Sequence, residues 1–578
     1  VEILDTSGNW KDGDTVAIRD IWKKVGSTIP DTLSDAQMLN FFRWLYGEGR
    51  AHLLGPILRC TPAVVGAPPS INLLKHSGFE SVNGMRERLI YVTSNDGLIH
   101  AFRHGKQADG GGAEVFAYIA PSLLDKGYDV FKSGQATSPD SFKWVLAGSP
   151  RVDDVYNSDD DDPMTDTWFT QMVVAAGPYN HQLIFLDISN PTDSCDASGC
   201  TLKSRPFNVR GLVYTDTSGN EQTVWQGGVT GISHFGEAWS TPALFLTAKK
   251  DEPTHHMALA SGYGAASASD KYKSVDKGHH YFFYDHGRHV GKHPIDENEA
   301  LHDPAALTLQ VDTAVLADTA GAVDRDIVQK PIIATYQADL SGRIVRYGLG
   351  VDKTAYEVYS ANPARPFYYA PAVLHMAGGT QEVAIASNTG SADEDDPPSP
   401  DIAARILLTS EESGKAGSGT YDLDCAVGDI KTGCSGALDI AKVSTTDLPP
   451  ATAKPVGSPL MVLNDPDGSG TQRLEVFYLL YAPGSTTGTC TASAGTSYLV
   501  RISVDPSTGA NTAEDADKIS GRASGMTLAG GGTRVVLGKS GMGSSAQASA
   551  ALPPGDLPIE ATAAGDRPPA IEYWREVK

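Results

Sequence analysis

Residues 89–102 read Leu-Ile-Tyr-Val-Thr-Ser-Asn-Asp-Gly-Leu-Ile-His-Ala-Phe. Two apolar, β-prone runs, Leu89 to Thr93 and Leu98 to Phe102, flank Ser94-Asn95-Asp96-Gly97, whose turn chemistry predicts a β-hairpin. Glu114 to Ile119 supplies a further strand. Upstream, Cys60-Thr61-Pro62-Ala63-Val64-Val65 places a proline just before an apolar run. Proline is tolerated at the first residue of a strand because its missing N–H costs no ladder bond there. Residues 60–119 therefore predict one four-stranded unit.

The proline pattern recurs in Gly148-Ser149-Pro150-Arg151-Val152, Ser240-Thr241-Pro242-Ala243-Leu244-Phe245, Tyr369-Ala370-Pro371-Ala372-Val373-Leu374 and Gly457-Ser458-Pro459-Leu460-Met461-Val462. The five prolines are 88, 92, 129 and 88 residues apart. Paired strands follow again at Gln171 to Ala176 with Gln182 to Asp187, and at Leu474 to Tyr481 with Ser497 to Val504. The longest interval holds an extra hairpin, Ile332 to Tyr336 and Arg343 to Tyr347. A last unit is built on Met526 to Leu537, and Ile571 to Val577 alternates as a closing strand. A four-stranded unit repeated at long period is the mark of a β-propeller, whose blades need neighbours to bury their faces. The expectation is an all-β, seven-bladed β-propeller of the quinoprotein-dehydrogenase-like kind, with long inserted loops and a short N-terminal helix. A pair of β-sandwiches is the alternative. Residues 1–54 form the lead-in and 55–578 the propeller, closed by the C-terminal strand. The lead-in helix is expected within Leu33 to Arg50, from its apolar stripe at Met38, Leu39, Phe41, Phe42 and Leu45, entered at Ser34 or Asp35 and stopped at Gly47.

The chain has 578 residues and a net charge of −24, which excludes a nucleic-acid surface as the default reading. With 60 glycines and 35 prolines it is turn-rich, yet its aromatic and β-branched content is that of a globular protein. No apolar run approaches the 18 or so residues of a membrane helix. The sequence starts at Val1 without a basic, apolar and small signal segment, as expected of a processed protein or part of a larger chain. Six cysteines occur. Cys195 with Cys200, and Cys425 with Cys434, are spaced as loop-closing disulfides. Zinc competes without CxxC spacing, unpaired thiols are the plain alternative, and the pairing of Cys60 and Cys490 stays open.

The stretch Tyr91 to Phe102 resembles the "NDGxLHAF" hairpin of the C-terminal domain of PilY-type proteins, with Ile99 the one departure. Further segments are similar in the same order: Cys-Thr-Pro-Ala-Val-Val at 60–65, Ala238-Trp239-Ser240-Thr241-Pro242, Ala338 to Tyr347, and Trp574-Arg575-Glu576. The helix ending in Phe42-Arg43-Trp44-Leu45-Tyr46-Gly47-Glu48 matches the approach to the first blade. The resemblance implies a non-catalytic bacterial protein at the tip of a type IV pilus, exported through the periplasm and outer membrane to the cell surface. It would prime assembly with minor pilins and support adhesion to a surface or host ligand, and twitching motility.

The family's calcium loop falls here on Asp324 and Asp326, without the third aspartate or the glycine. A more complete frame places Asp465, Asp467, Ser469 and Thr471 at positions 1, 3, 5 and 7 of an EF-hand-like loop, with Gly470 at position 6; Arg473 at position 9 and Glu475 one place short of position 12 are its defects. A plain Asx turn explains the same residues. The histidines of 279–289 alternate faces of a strand, so an aromatic strand accounts for them better than a metal. Two other functions compete with the pilus role. A quinoprotein-like dehydrogenase would carry a repeated tryptophan-docking motif, of which Val504 to Gly509 is one partial copy without its tryptophan, and no quinone is expected. A binding propeller unrelated to pili is the other. Gly538-Lys539-Ser540 imitates a phosphate loop, but Thr533 stands where its first glycine belongs.

Overall fold

The protein is described by a computed structural model. It covers residues 15–25, 27–49, 54–58, 60–70, 75–106, 110–133, 143–157, 167–177, 182–196, 199–203, 206–215, 221–225, 241–246, 255–260, 280–285, 288–294, 307–311, 332–338, 343–348, 355–360, 369–375, 383–388, 403–409, 425–426, 453–455, 457–464, 473–482, 495–504, 511–520, 523–529, 534–539 and 555–557. The chain divides into two compact units, Val1–Pro294 with Tyr573–Lys578, and Ile295–Glu572.

In the first unit, helix Asp35–Leu45 starts where the sequence predicts. Ser34 accepts from Gln37 N while Gln37 reaches back to Ser34 N, a complete capping box. Gly47, at φ 92°, ends it in a conformation that costs a side-chain-bearing residue dearly. Its apolar stripe, Met38, Phe41, Phe42 and Leu45, is buried with Ile18 and Trp22 of helix Thr15–Lys24, Tyr128 of helix Leu124–Ser133, and Leu98 of the first hairpin. Phe41 is the hub, with ring centroids of Trp22, Phe42, Tyr128 and Phe131 within 5.7 Å. Asp125 fastens this layer by accepting from Trp22 Nε1 and from Ser27 Oγ, at 2.5 and 2.6 Å. The lead-in helices thus pack directly on the first sheet.

The described residues form seven antiparallel sheets and one separate two-stranded hairpin. Pro62, Pro150, Pro242 and Pro371 open or immediately precede the first strand of a sheet, and Pro459 precedes the second strand of its sheet, Leu460–Asn464. The first sheet is Ala63–Val65, Leu89–Thr93, Leu98–Arg103 and Glu114–Ile119, in that spatial order. The second begins at Pro150–Asn157, continues through Thr167–Ala175, Leu183–Asp187 and Asn208–Thr215, and adds a fifth strand, Glu221–Trp225. The third is Ala243–Leu246, His255–Ala260, His280–Asp285 and Arg288–Pro294. In the second unit, sheets start at Leu307–Val311, at Ala372–His375 and at Lys454–Pro455, the last sheet taking Leu460–Asn464 after the last proline as its next strand; a three-stranded sheet follows, Ala523–Ala529, Arg534–Lys539 and Gly555–Leu557. The long proline interval holds two sheets, as expected.

Two observations describe how sheets stack within each unit. The first strands are neighbours in chain order: Ala63–Val65 lies beside Pro150–Asn157, and that beside Ala243–Leu246. In the second unit the same succession runs Leu307–Val311, Ala372–His375, Leu460–Asn464, Ala523–Ala529. Central strands are also buried on both faces, as in Leu183–Asp187 and in Arg473–Ala482, where Leu474 to Leu480 are all buried. An antiparallel sheet commonly leaves one face to water, so burial of both faces requires cover on each side. The first and second sheets share one core, with Leu89, Tyr91 and Ile99 packed among Met172, Val174, Ile184 and Leu186.

The expected closing strand, Ile571 to Val577, lies outside the described residues. The turn at 339–342 does too, although its flanking strands, Ile332–Ala338 and Arg343–Gly348, pair as predicted. Phe41→Ala is expected to lower the unfolding free energy of the first unit by about 3–5 kcal/mol, whereas Met85→Ala, 81% exposed, should change it by less than about 0.5 kcal/mol. Urea denaturation followed by tryptophan fluorescence measures both.

Candidate functional site

The hairpin turn at residues 94–97 is buried. Ser94 and Asn95 have no exposed surface and Asp96 has 1%. Its polar groups must therefore find partners inside the protein. Ser94 N donates to Leu98 O and Gly97 N to Ser94 O, each at 3.0 Å, which closes the turn. Gly97 sits at φ 96°, and a Cβ there would come within 3.0 Å of Val145 Cγ1. Asn95 acts as a short strand: its backbone N donates to Pro56 O at 2.8 Å, its Nδ2 donates to Lys143 O at 2.7 Å, and its Oδ1 accepts from Val145 N at 2.9 Å. Asp96 accepts from Ser94 Oγ and lies so close beneath Gly55 that a Cβ on that glycine would fall 2.5 Å from its carboxyl carbon.

Beyond the turn, Ser94 Oγ is 2.7 Å from His100 Nε2, and His100 Nδ1 is 2.5 Å from Glu114 Oε1. Serine, histidine and carboxylate in this order reproduce the contacts of a nucleophilic triad. Two facts decide what the set can do. Ser94 is fully buried, so an acyl substrate has no path to its oxygen, and its hydroxyl is engaged by Asp96 as well as His100. The arrangement joins the turn to two strands of one sheet through side chains, from Ser94 through His100 to Glu114, which is half exposed at the outer strand.

The same edge is tied to the second sheet. Thr93 Oγ1 donates to Gly148 O at 2.8 Å, and Thr61 N donates to Ser149 Oγ at 2.8 Å. A Cβ on Gly148 would meet Ala175 O at 1.6 Å, so the small residues ahead of Pro150 are set by close backbone approach and by a hydroxyl acceptor. Arg86 crosses the same junction. Its Nε donates to Gly66 O, its Nη1 donates to Thr170 Oγ1 at 2.6 Å and to Ser189 O at 3.0 Å, and its Nη2 faces Asp154 at 3.9 Å. Thr170 in turn donates its hydroxyl hydrogen to Asp154 Oδ1 at 2.5 Å. Burial lowers the Arg86 pKa from its ordinary value, opposed by the negative charge of Asp154 and then by Tyr91 and Asp187. His76, with no exposed surface, stands edge-on to Trp168 at 4.6 Å and 3.9 Å from Asp154 Oδ2.

Of the residues singled out from sequence, Asp324, Asp326, Asp465, Asp467, Ser469, Thr471, Cys434 and Cys490 lie outside the described residues. Asn464 pairs with Arg473, so residues 465–472 connect two paired strands, and position 9 of the second calcium frame, Arg473, together with Glu475 belongs to the strand Arg473–Ala482. Cys195 and Cys200 are direct register partners in the two-stranded hairpin. Cys425 begins a short outer strand opposite Ala404. Cys60 Sγ accepts from Thr93 N at 3.3 Å. Lys539 ends the strand Arg534–Lys539. Among the described residues no cluster of histidine, cysteine and carboxylate side chains is arranged to hold a metal ion. Asp154 and Arg86 carry no local signal: the aspartate sits in the second sheet's first strand just ahead of the acidic residues 159–162, and it is buried where that sheet meets Arg86 and His76.

No protein-family model matches the chain. The type IV pilus biogenesis factor PilY1 of Pseudomonas aeruginosa strain PAO1 is 26% identical over 152 residues, 25% of this chain and 12% of PilY1. PilY1 of strain PAK matches with the same figures. The matched segment is thus about an eighth of the relatives' length. These matches bear out the resemblance to PilY-type proteins. The crystal structure of the P. aeruginosa PilY1 C-terminal domain aligns at 15% identity over 82% of this chain and 98% of that chain, with a TM-score of 0.42.

Asn95→Ala removes a donor and an acceptor from a buried turn and strands the Val145 N–H; it should cost about 2–4 kcal/mol by chemical denaturation. A second test uses pH. Burial holds the phenols of Tyr91 and Tyr118 above their ordinary range, with Arg86 opposing at Tyr91. A raised folded pKa contributes stability in full below the unfolded value near 10 and loses it as pH rises past that value. Unfolding free energy should therefore fall above about pH 10, and Tyr91→Phe with Tyr118→Phe should flatten that fall.

Proposed function

We propose that the chain is a non-catalytic component of the type IV pilus tip, in which a seven-bladed propeller docks minor pilins and supports surface adhesion and twitching motility. The similarity to PilY1 carries this reading. Seven sheets, whose consecutive first strands lie side by side within each of the two units, and central strands covered on both faces support the propeller. The buried and fully engaged Ser94 supports docking over hydrolysis. In this reading the C-terminal strand closes the ring, export delivers the chain to the cell surface, and a rigid scaffold presents its inserted loops outward. Among the described residues no helix is long and apolar enough to cross a membrane.

Co-purification from crosslinked cells is the direct test: minor pilins should accompany the tagged chain, and their absence under conditions that retain the other pilus proteins would refute the docking role. Deleting residues 551–578 should abolish soluble, pilus-supporting protein; normal pili from that variant would exclude closure by the C-terminal strand.

Calcium belongs to the same proposal. Asp465, Asp467, Ser469 and Thr471 offer hard oxygen donors on a loop framed by paired strands. Isothermal titration should show calcium binding that disappears in Asp465→Ala plus Asp467→Ala and survives Asp324→Ala plus Asp326→Ala. An isotherm unchanged in the first variant removes the site.

A further inference from the structure

The hairpin of strands Thr192–Asp196 and Gly199–Leu202 stands apart from the sheets. It is inserted between the third and fourth strands of the second sheet, Leu183–Asp187 and Asn208–Thr215, and pairs with neither. Its register is Thr192 with Leu202, Ser194 with Thr201, Cys195 with Cys200 and Asp196 with Gly199, with a bulge at Asp193. At its base Lys203 N donates to Pro191 O at 3.1 Å.

An isolated two-stranded hairpin is marginal in water unless something besides its ladder holds it. Its own sequence offers little: of residues 192–202, Ala197 and Leu202 are the apolar members besides the cysteines. The bulge interrupts the ladder as well. What remains is the register itself. Asp196 and Gly199 close a two-residue loop, and the pair closing such a loop exchanges both backbone bonds. Pairs alternate along an antiparallel ladder, so Cys195 and Cys200 form the next, non-hydrogen-bonded pair. In that kind of pair the Cα atoms stand about 4.5 Å apart, at the near end of the roughly 4.4–6.8 Å that a disulfide spans.

We propose that Cys195 and Cys200 form a cross-strand disulfide that clamps this hairpin, independently of the fold's main cores. The oxidant is a protein disulfide donor. The Cys195 thiolate attacks the donor disulfide, giving a mixed disulfide and releasing one donor thiolate. The Cys200 thiolate then attacks the Cys195 sulfur and expels the second. Two electrons pass from the cysteine pair to the donor, which leaves as a dithiol carrying the two protons that the cysteines lose. The loop enclosed is among the shortest a disulfide can close, so the crosslink removes little chain entropy and its effect is confined to the hairpin.

The test uses the whole chain, secreted through an oxidising compartment and trapped with N-ethylmaleimide before any reduction. Tryptic mapping should return a peptide holding both cysteines, lighter by two hydrogen atoms than its reduced form and unlabelled; reduction should then admit two labels. Labels on both cysteines before reduction, or a peptide joining either one to another cysteine, would overturn the assignment. In Cys195→Ser plus Cys200→Ser, limited proteolysis within residues 192–202 should accelerate at least about tenfold while the main thermal transition stays in place. Unchanged cleavage in that variant would overturn the clamping role.

Discussion

A turn that water does not reach has to satisfy every polar group from within the protein, and this constraint organises the first unit. Residues 94–97 would serve as an ordinary solvent-facing hairpin turn if they were exposed. Buried, they divide the bonding among themselves. Ser94 links Asp96 to His100, Asn95 reproduces both hydrogen bonds of a strand residue toward Lys143 and Val145, and Gly97 supplies the positive φ. Segments around 56 and 143–145 are thereby placed by contacts to one tetrapeptide. The segment at 143–145 leads straight into Gly148-Ser149-Pro150, where the next sheet begins.

The second organising fact is the burial of both sheet faces. Hydrophobic stabilisation scales with the apolar area removed from water, and an antiparallel sheet with two apolar faces gains it only between two covers. A strand such as Leu183–Asp187 accordingly shows no alternation, whereas the outer strand Glu114–Ile119 is partly exposed along its length. Proline-marked first strands lie nearest one another, where ladder bonds are needed on one side only, and this is the position proline tolerates.

The strands of the first unit were legible because their signals are local. Pro62 and Pro150 precede or open strands, the Asn-Asp-Gly turn separates two apolar runs, and Ser34 or Asp35 ahead of an apolar stripe marks a helix start. Neighbouring residues sufficed for each. What was not legible depends on distant chain: nothing near Asp154 distinguishes it from the acidic run that follows, and nothing near Arg86 announces a buried guanidinium. Their burial arises when the second sheet's strands arrive beside the first. The register of Cys195 and Cys200 lies between these cases, since their spacing predicts closure but only the two-residue loop between Asp196 and Gly199 sets them opposite each other. The candidate calcium loops stay a matter of sequence pattern, because their residues lie beyond the described parts of the fold.

Arg86 has one further consequence, a mechanical one. Its guanidinium holds Gly66 on one side and Thr170 and Ser189 on the other, while Thr93 to Gly148 and Ser149 to Thr61 span the same boundary. Traction drawing the first sheet away from the second would load these bonds in parallel instead of peeling them in turn. The boundary would yield as a single event at high force, which suits a module that has to hold its shape while something pulls on it.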